Sequence, residues 1–559
     1  MISDHAKPDT HPAWIALGLL SIGFHLYLIF SGLIPNLVTR PLHMALALPW
    51  VFIYLAGSRA AKVTGLPLAA IGIACCLWVA YNEAMLGDQY GYLESRAQFW
   101  IAGVLVLVTL EMARRAIGWP LPVIAALMLL YGLFGQHLRG EFGHPGLPLG
   151  SFLGTITIAE GGLWGSLTGV SVSIIAVFVI MGAVLNAGEA GQGFMNLASA
   201  AAGNLRGGVA VQTVVVAVIL AAMSGVMGGE IVMLGLVALP QMLRLGYDPK
   251  LAIGVICASG SLATLIPPSI IMIVYGLSAD VGIGDLFMAG AIPGIMLATF
   301  YAIFVVIRCY INHDLAPTAA EVAEIRGEET EMTGEKRLAV ALCILLIACV
   351  MGSIYAGIST VTEAAAVGVV GAIIVAAVRN RFNWTMLQEA LAGTMSTVGT
   401  IIWLILGAVA FVGIYNLIGG ADFMRSLFAG LGLSAMGIIF VMMGILIVLG
   451  TFMEWIAIVF ITVPVFAPVV EDLAPELGMD PTWVKVWFGV LFVMNIQIYF
   501  LSPPFGPACF WLKSVAPPHI TLQQIFGAVI PFIGLQIIGL ILVMLFPEIA
   551  LFLPKYLSG

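Results

Sequence analysis

Apolar stretches of membrane-spanning length follow one another along almost the whole chain, separated by short polar loops. The first four, Trp14–Leu33, Pro41–Leu55, Leu66–Leu86 and Phe99–Met112, form a group of their own. Leu121–Phe134, Val170–Leu185, Leu286–Ile307, Leu338–Tyr355, Ala364–Val378, Met395–Ile414 and Phe526–Leu545 follow. A helix rises about 1.5 Å per residue, so runs of this length cross or nearly cross a hydrocarbon core of about 30 Å. Gly140–Trp164 is less regular and reads as an external, interfacial stretch. Met1–Pro12 carries no cluster of Lys or Arg and no A-x-A cleavage site, so the first helix reads as retained.

Two regions interrupt this pattern, and they answer each other. Ser224–Pro240 reads SGVMGGEIVMLGLVALP, with Glu230 ten residues ahead of Pro240. From Gly450 the chain reads GTFMEWIAIVFITVP, with Glu454 ten residues ahead of Pro464. GYDPK at Gly246–Lys250 matches GMDPT at Gly478–Thr482, and IPPS at Ile266–Ser269 matches SPPFG at Ser502–Gly506. DLFMAGAIP ending at Pro293 matches QIFGAVIP ending at Pro531. Four landmarks in one order indicate an internal repeat. Each copy predicts a re-entrant hairpin (208–243 and 433–469) followed by a helix broken at a double proline (250–278 and 483–513). Freed backbone groups at membrane depth cost several kcal/mol unless protein or a polar cavity meets them. Paired breaks in corresponding halves are the pattern of a secondary transporter's binding site.

Loop charge orients the segments. Arg59 and Lys62 follow the second apolar run and Arg114-Arg115 the fourth, which predicts a cytoplasmic N-terminus. Followed onward, this gives about thirteen crossings, with the first hairpin entering from the cytoplasm and the second from outside. The repeats thus run in opposite senses, as in an inverted-repeat fold. Residues 312–337 are a charged, mostly acidic cytoplasmic linker between them.

Composition narrows the class. With 61% hydrophobic residues, 9% charged and mean hydropathy +1.10, the chain is an all-α polytopic membrane protein. The net charge of −8 sits in loops, and no basic patch suggests nucleic acid. Cys75, Cys76, Cys257, Cys309, Cys343, Cys349 and Cys509 lie in or beside apolar runs without paired spacing and read as small core residues. His25 and His43 have no acidic or cysteine neighbour at ligand spacing and read as packing histidines. The chain has no GxxxxGK[ST] motif for an ATPase and neither HExxH nor GxSxG for a hydrolase.

The oxygen-bearing and small residues around the breaks are the cation candidates: Ser224, Gly225, Gly229, Gly260, Ser261, Thr264 and Pro267 in the first copy, Gly450, Thr451, Asn495, Ser502 and Pro503 in the second. Hydroxyls, amides and unwound carbonyls are the ligands Na+ takes at half-helix sites. Each hydroxyl can equally bond the carbonyl one turn back in its own helix. Glu230, Ser269, Glu454, Thr462, Pro504 and Gly506 are the candidates for substrate or hairpin roles. A carboxylate at the start of a returning arm is either functional or a cap on free N–H groups.

Gly225–Gly276, with GYDPK and TLIPPSIIMIVYG, resembles the large membrane subunit of tripartite ATP-independent periplasmic (TRAP) transporters. So do GISTVTEAAAVG at Gly357–Gly368 and LSPPFGPACFWLKSVAPPHIT at Leu501–Thr521. The last stretch, with GGEIV at Gly228–Val232, is most similar to the branch named for mannitol and chloroaromatic compounds. FHLYLIFSGLIPNLVTRPLHMALALP at Phe24–Pro49 resembles the small membrane subunit as found fused in such permeases. Two departures stand out: Val361 replaces a usual proline, and the first hairpin tip lacks a serine-rich form.

The resemblance implies residues 1–116 as a small-subunit-like unit and residues 117–311 and 338–559 as the two large-subunit repeats. It implies an elevator mechanism in the bacterial inner membrane, Na+ as coupling ion and no other cofactor. It also implies a periplasmic substrate-binding protein that delivers an organic acid. One Na+ site would draw on Ser224–Gly229 and Gly260–Pro268, the other on Gly450–Glu454 and Asn495–Gly506. The alternatives are a carrier independent of a binding protein, and a membrane enzyme or sensor built on Glu230 and Glu454.

Overall fold

A computed structural model describes residues 11–31, 34–54, 56–117, 119–137, 148–157, 162–165, 168–169, 171–172, 176–187, 205–225, 227–318, 321, 334–379, 383–384, 386, 420–451, 453–504 and 506–558. Every regular element among them is helical. Eight helices are long and apolar enough to cross a membrane, and five shorter apolar helices accompany them. The expected crossing at Met395–Ile414 and most of the 312–337 linker lie outside the described residues.

The N-terminal unit consists of α1 (Pro12–Phe30), α2 (Asn36–Pro49), α3 (Arg59–Tyr81), α4 (Glu83–Asp88) and α5 (Arg96–Ile117), followed by α6 (Pro120–Phe134) and α7 (Leu149–Thr157). Helix α2 starts five residues earlier than the apolar run, and Pro41 sits inside it; a π-turn, Trp50–Tyr54, continues it. Small residues set the spacing: a Cβ at Gly65 would collide with the Phe52 carbonyl, and one at Gly72 with Leu48. Glu111 pairs with Arg114 at 2.7 Å and Arg115 at 2.8 Å, so the two arginines at the end of α5 share one carboxylate a turn back.

The described part of the stretch Gly140–Trp164 has one face against protein. Phe152 of α7 and Trp164 are buried in protein, and Gly154 meets the Gly91 carbonyl so closely that a side chain there would collide. The segment therefore packs onto the N-terminal unit. Among the cysteines, Cys349 is exposed and the other six are buried.

Helix α1 joins the unit to the rest of the molecule by packing on α8 (Ala176–Ala187) and on a helix near residue 370. His25 Nδ1 lies 2.6 Å from the Ser21 carbonyl, His25 Nε2 2.6 Å from His43 Nδ1, and His43 Nε2 3.1 Å from Ser171 Oγ. A carbonyl only accepts, so with neutral rings the direction of the chain is set: His25 donates to Ser21, His43 to His25, and Ser171 to His43. Arg40, one turn from His43, donates to the Trp164 carbonyl.

The remaining elements fall into two matching sets. The first is the hairpin α9 (Gly208–Ser224) and α10 (Met227–Arg244), then α11 (Pro249–Ser261), α12 (Ile270–Ser278) and α13 (Ile283–Ile311). After α14 (Gly334–Tyr355), α15 (Val361–Val378) and α16 (Gly420–Ala429) comes the second. It is the hairpin α17 (Ala435–Gly450) and α18 (Trp455–Asp472), then α19 (Pro481–Leu501), α20 (Pro507–Val515) and α21 (Leu522–Leu545), closed by α22 (Glu548–Ser558). Asp248 and Asp480 cap α11 and α19 by accepting backbone N–H bonds, with Pro249 and Pro481 at the first helical position. Val361 costs α15 little, because Thr360 and Glu363 form a capping box there.

Contacts repeat with the halves exchanged. The arm α10 packs on α20 and the arm α18 on α12, while α11 packs on α21 and α19 on α13. Helix α19 is the centre: it is almost wholly buried in protein, whereas most of α3 is not.

Replacing His43 with Leu removes an imidazole and leaves Ser171 and His25 without their partner, at about 1–3 kcal/mol for each stranded group. The thermal unfolding midpoint of the purified protein in detergent is expected to fall by several degrees. An unchanged midpoint would show that the chain contributes nothing to the joint.

Candidate functional site

Each hairpin tip meets the broken helix of its own half. At the first tip Gly225 adopts a left-handed backbone, φ 59°, and a Cβ there would collide with the carbonyl of Pro268. Only glycine allows both the turn and the approach. At the second tip a Cβ on Gly450 would strike the Tyr499 side chain, three residues before Ser502. Tyr499 Oη in turn accepts the Trp455 N–H at 3.0 Å, and Asn495 Nδ2 donates to Met443 O at 3.0 Å, so α19 holds both arms of its hairpin.

The breaks close their own backbone. Between α11 and α12 the chain makes a 3-10 turn, Leu262–Thr264, and both Pro267-Pro268 and Pro503-Pro504 are cis. Thr264 Oγ1 donates to Ser261 O at 2.8 Å, and Ser269 Oγ donates to Thr264 O while capping α12 through the Met272 N–H at 3.3 Å. At the second break Ser502 Oγ donates to Ile498 O at 2.7 Å and Gly506 N to Ser502 O at 2.9 Å. Thr451 Oγ1 donates to Val448 O at 2.7 Å. These hydroxyl protons are spent within the local helix, and their lone pairs remain as acceptors for a donor or cation.

Not every candidate gathers at a break. Thr462 lies two turns down α18 and bonds Ile458 O at 2.7 Å, a mid-helix role. Gly260 packs against Ile231 of α10 instead of lining an opening. Gly229 is exposed with open space around its Cα, and of Ser224 only the backbone, at the end of α9, is described. Glu230 is buried in the first turn of α10, where the helix N-terminus favours its charge. Glu454 stands at the N-cap of α18, yet its carboxylate makes no cap bond; Tyr499 takes the Trp455 N–H instead. The capping role expected of Glu454 therefore belongs to Tyr499.

Sequence reasoning also passed over Gln497 and Gln536. Both are buried; Gln497 Nε2 donates to Ser261 O at 2.9 Å and Gln536 Nε2 to Ser261 Oγ at 3.1 Å. An amide inside an apolar helix is a signal in itself, because hydrocarbon gives it no partner.

The two half-sites differ in exposure. Residues 261–276 are all buried, whereas Pro503 and Pro504 are exposed. Beside Pro268 an apolar cavity of about 10 Å³ separates Ala222 and Met223 from Met181 of α8 and Leu346, Ile347, Val350 and Met351 of α14.

The family model described as the DctM component of tripartite ATP-independent periplasmic transporters matches residues 104–549. The chain belongs to this family. It is 30% identical over 386 residues to the C4-dicarboxylate TRAP transporter large permease protein DctM of Pseudomonas aeruginosa, a match spanning 69% of the chain and 86% of the relative. It is 31% identical to the ectoine TRAP transporter large permease protein TeaC of Halomonas elongata, over 68% of the chain and 86% of the relative. The isethionate TRAP transporter permease protein DctMQ of Oleidesulfovibrio alaskensis is 28% identical over 436 residues, 78% of the chain and 66% of the relative. Among solved structures, the Alcanivorax borkumensis YdaH transporter superposes with a TM-score of 0.50 at 14% identity, covering 78% of the chain and 97% of that protein. That likeness concerns the fold alone. The chain is a multi-pass TRAP permease, a transporter and not an enzyme, which replaces the enzyme or sensor alternative.

The approach of Gly225 to Pro268 gives a direct test within the TRAP permease. Gly225→Ala adds a methyl into a carbonyl and a left-handed backbone. Uptake is expected to fall at least ten-fold while the membrane-inserted amount stays within about two-fold. Full uptake by this variant would show that tip and break need not touch during transport.

Proposed function

We propose that this TRAP permease carries both membrane subunits in one chain and imports a small organic acid in symport with Na+. In this reading residues 1–116 act as the small-subunit unit, and a periplasmic substrate-binding protein hands the acid to the large-subunit repeats. The transport part is the two hairpins with the two broken helices, moving as an elevator against a scaffold that includes α1–α5, α8, α14 and α15. The N-terminus is cytoplasmic and the membrane is the inner one.

The observation that carries this reading is the pairing of hairpin tip and broken helix in both halves, with contacts exchanged between them. A secondary transporter places coupling ions and substrate where discontinuous helices from two repeats meet. Four helix N-termini, those of α10, α12, α18 and α20, adjoin the tips and breaks, and such termini favour an anionic group. Lys513, the basic residue past the second break, donates to Ile520 O at 2.6 Å, so helix ends carry the task of meeting a carboxylate. The relatives are named for C4-dicarboxylates, ectoine and isethionate, which supports a small organic acid as the class. The apolar cavity beside Pro268 supports sliding at the boundary between the two parts, because no hydrogen bonds need to break there.

The test is uptake of labelled organic acids into proteoliposomes, with and without an inward Na+ gradient and with and without the periplasmic protein encoded beside the permease. Accumulation is expected to need both. Thr451→Ala and Ser502→Ala are expected to raise half-saturating Na+ several-fold at unchanged protein amount. Accumulation with Na+ alone would move the protein to the autonomous carriers, and unchanged Na+ dependence in both variants would remove the hydroxyls from the cation sites.

A further inference from the structure

The two broken helices pack against each other at several points, and near the breaks they are joined by a hydrogen bond at Ser261. Ser261 ends α11, six residues before Pro267, so its carbonyl is among those a helix C-terminus leaves without an intrahelical partner. Gln497 of α19, five residues before the second break, donates to that carbonyl at 2.9 Å across 236 residues of sequence. Gln536 of α21 donates to the Ser261 hydroxyl at 3.1 Å, and that hydroxyl donates to Ala258 O at 2.7 Å. Tyr301 of α13 places its ring beside the same group, against Phe532 of α21 at 5.6 Å between centroids. The end of α11 is thus gripped by a side chain from the helix that carries the other break and by one from the helix that follows it.

The direction of these bonds is fixed by backbone. Ser261 O only accepts, so the amide nitrogen of Gln497 must face it; Ser261 Oγ spends its proton on Ala258 O, so it accepts from Gln536. The Gln497 amide oxygen then points elsewhere and finds no partner among the described residues although Gln497 is 0% exposed, whereas Gln536 has the Tyr301 hydroxyl beside it. A group kept for stability alone would not carry a stranded acceptor, because a shape-matched apolar side chain would fill the site without that loss. The Ser261 carbonyl does not depend on Gln497 for satisfaction either, since Thr264 Oγ1 also donates to it at 2.8 Å. Stability leaves Gln497 unexplained; the connection it makes between the breaks explains it, and Gln536 steadies the same end of α11.

We propose that Gln497 and Gln536 are positioning residues that couple the two half-sites of the permease, so that the shape of the first break is set by the state of the second. Cation binding at one break shifts the helix end there, and the Gln497 amide transmits that shift to Ser261 and the turn Leu262–Thr264. The proposal rests on the cation-coupled reading above. A coupling between sites is measured as cooperativity and is separable from affinity at either site alone.

The experiment compares wild type, Gln497→Met and Gln536→Met in proteoliposomes, with initial uptake measured against Na+ concentration and thermal unfolding measured on the same preparations. Methionine keeps length and volume and removes the amide. The wild type is expected to respond sigmoidally. Gln497→Met is expected to lower the Hill coefficient toward one and to raise half-saturating Na+ about five-fold or more, with an unfolding midpoint equal to or above that of the wild type. Gln536→Met is expected to show the same change in weaker form. Unchanged cooperativity with Na+ dependence intact would overturn the coupling and leave the cation reading standing. A lowered midpoint with unchanged cooperativity would assign the amides to stability and overturn it as well. Uptake by the wild type that ignores Na+ would overturn the cation reading, and this proposal with it.

Discussion

Backbone that leaves its helix at membrane depth has to find hydrogen-bond partners inside the protein, and most of this structure follows from that constraint. Thr264, Ser269 and Ser502 turn their hydroxyls onto carbonyls near the breaks, and Asp248 and Asp480 close the starts of α11 and α19. Local closure is not enough, because a break must also be kept from lipid. The hairpins do this, with Gly225 against the Pro268 carbonyl and Gly450 against Tyr499. With both hairpins folded against their broken helices, α19 is the most buried of the eight long apolar helices among the described residues.

Much of this was legible in the sequence because its causes are local. Double prolines end helices wherever they occur, glycines mark positive φ, and Asp-Pro marks a helix start, so the breaks, tips and their order could be read directly. Boundaries shifted where tertiary packing outweighed local preference. Helix α18 runs to Asp472 through Pro464 and Pro468, since a buried arm can lose a bond or two and remain a helix. Contacts far apart in sequence were not legible. His25 and His43 lack ligand spacing, yet the fold stacks α1 on α2 so that the rings share a hydrogen bond and reach Ser171. Tyr499 replaced Glu454 as the cap of α18 because a tyrosine three residues short of the second break could reach back only once the hairpin was in place.

The hydroxyl candidates illustrate how far sequence clustering carries. Ser261, Thr264, Thr451, Thr462 and Ser502 all donate to a carbonyl three or four residues back, as such residues do in any membrane helix. What distinguishes four of them from Thr462 is position alone: they sit where the helix has ended and the next carbonyls are free. A cation site at such a place is built by the interruption more than by the side chain. That accounts for a first tip in which Met227 and paired glycines stand where hydroxyls would be expected.

The unequal exposure of the breaks bears on how the cycle proceeds. Residues 261–276 are sealed by α10, α13 and α19, whereas Pro503 and Pro504 reach the surface although the two halves share their contacts. In the reading proposed above, a symmetric set of contacts with asymmetric exposure places the control of access at the boundary with the scaffold helices α8 and α14. In the elevator reading a rigid transport part gains or loses access by changing its height against that boundary. The hydrogen bonds at tip and break can then persist through the cycle, and the apolar contacts around Pro268 are the ones that change. Dispersion contacts suit such a surface: each is weak, none is directional, and the loss of one is offset by the next as the parts slide.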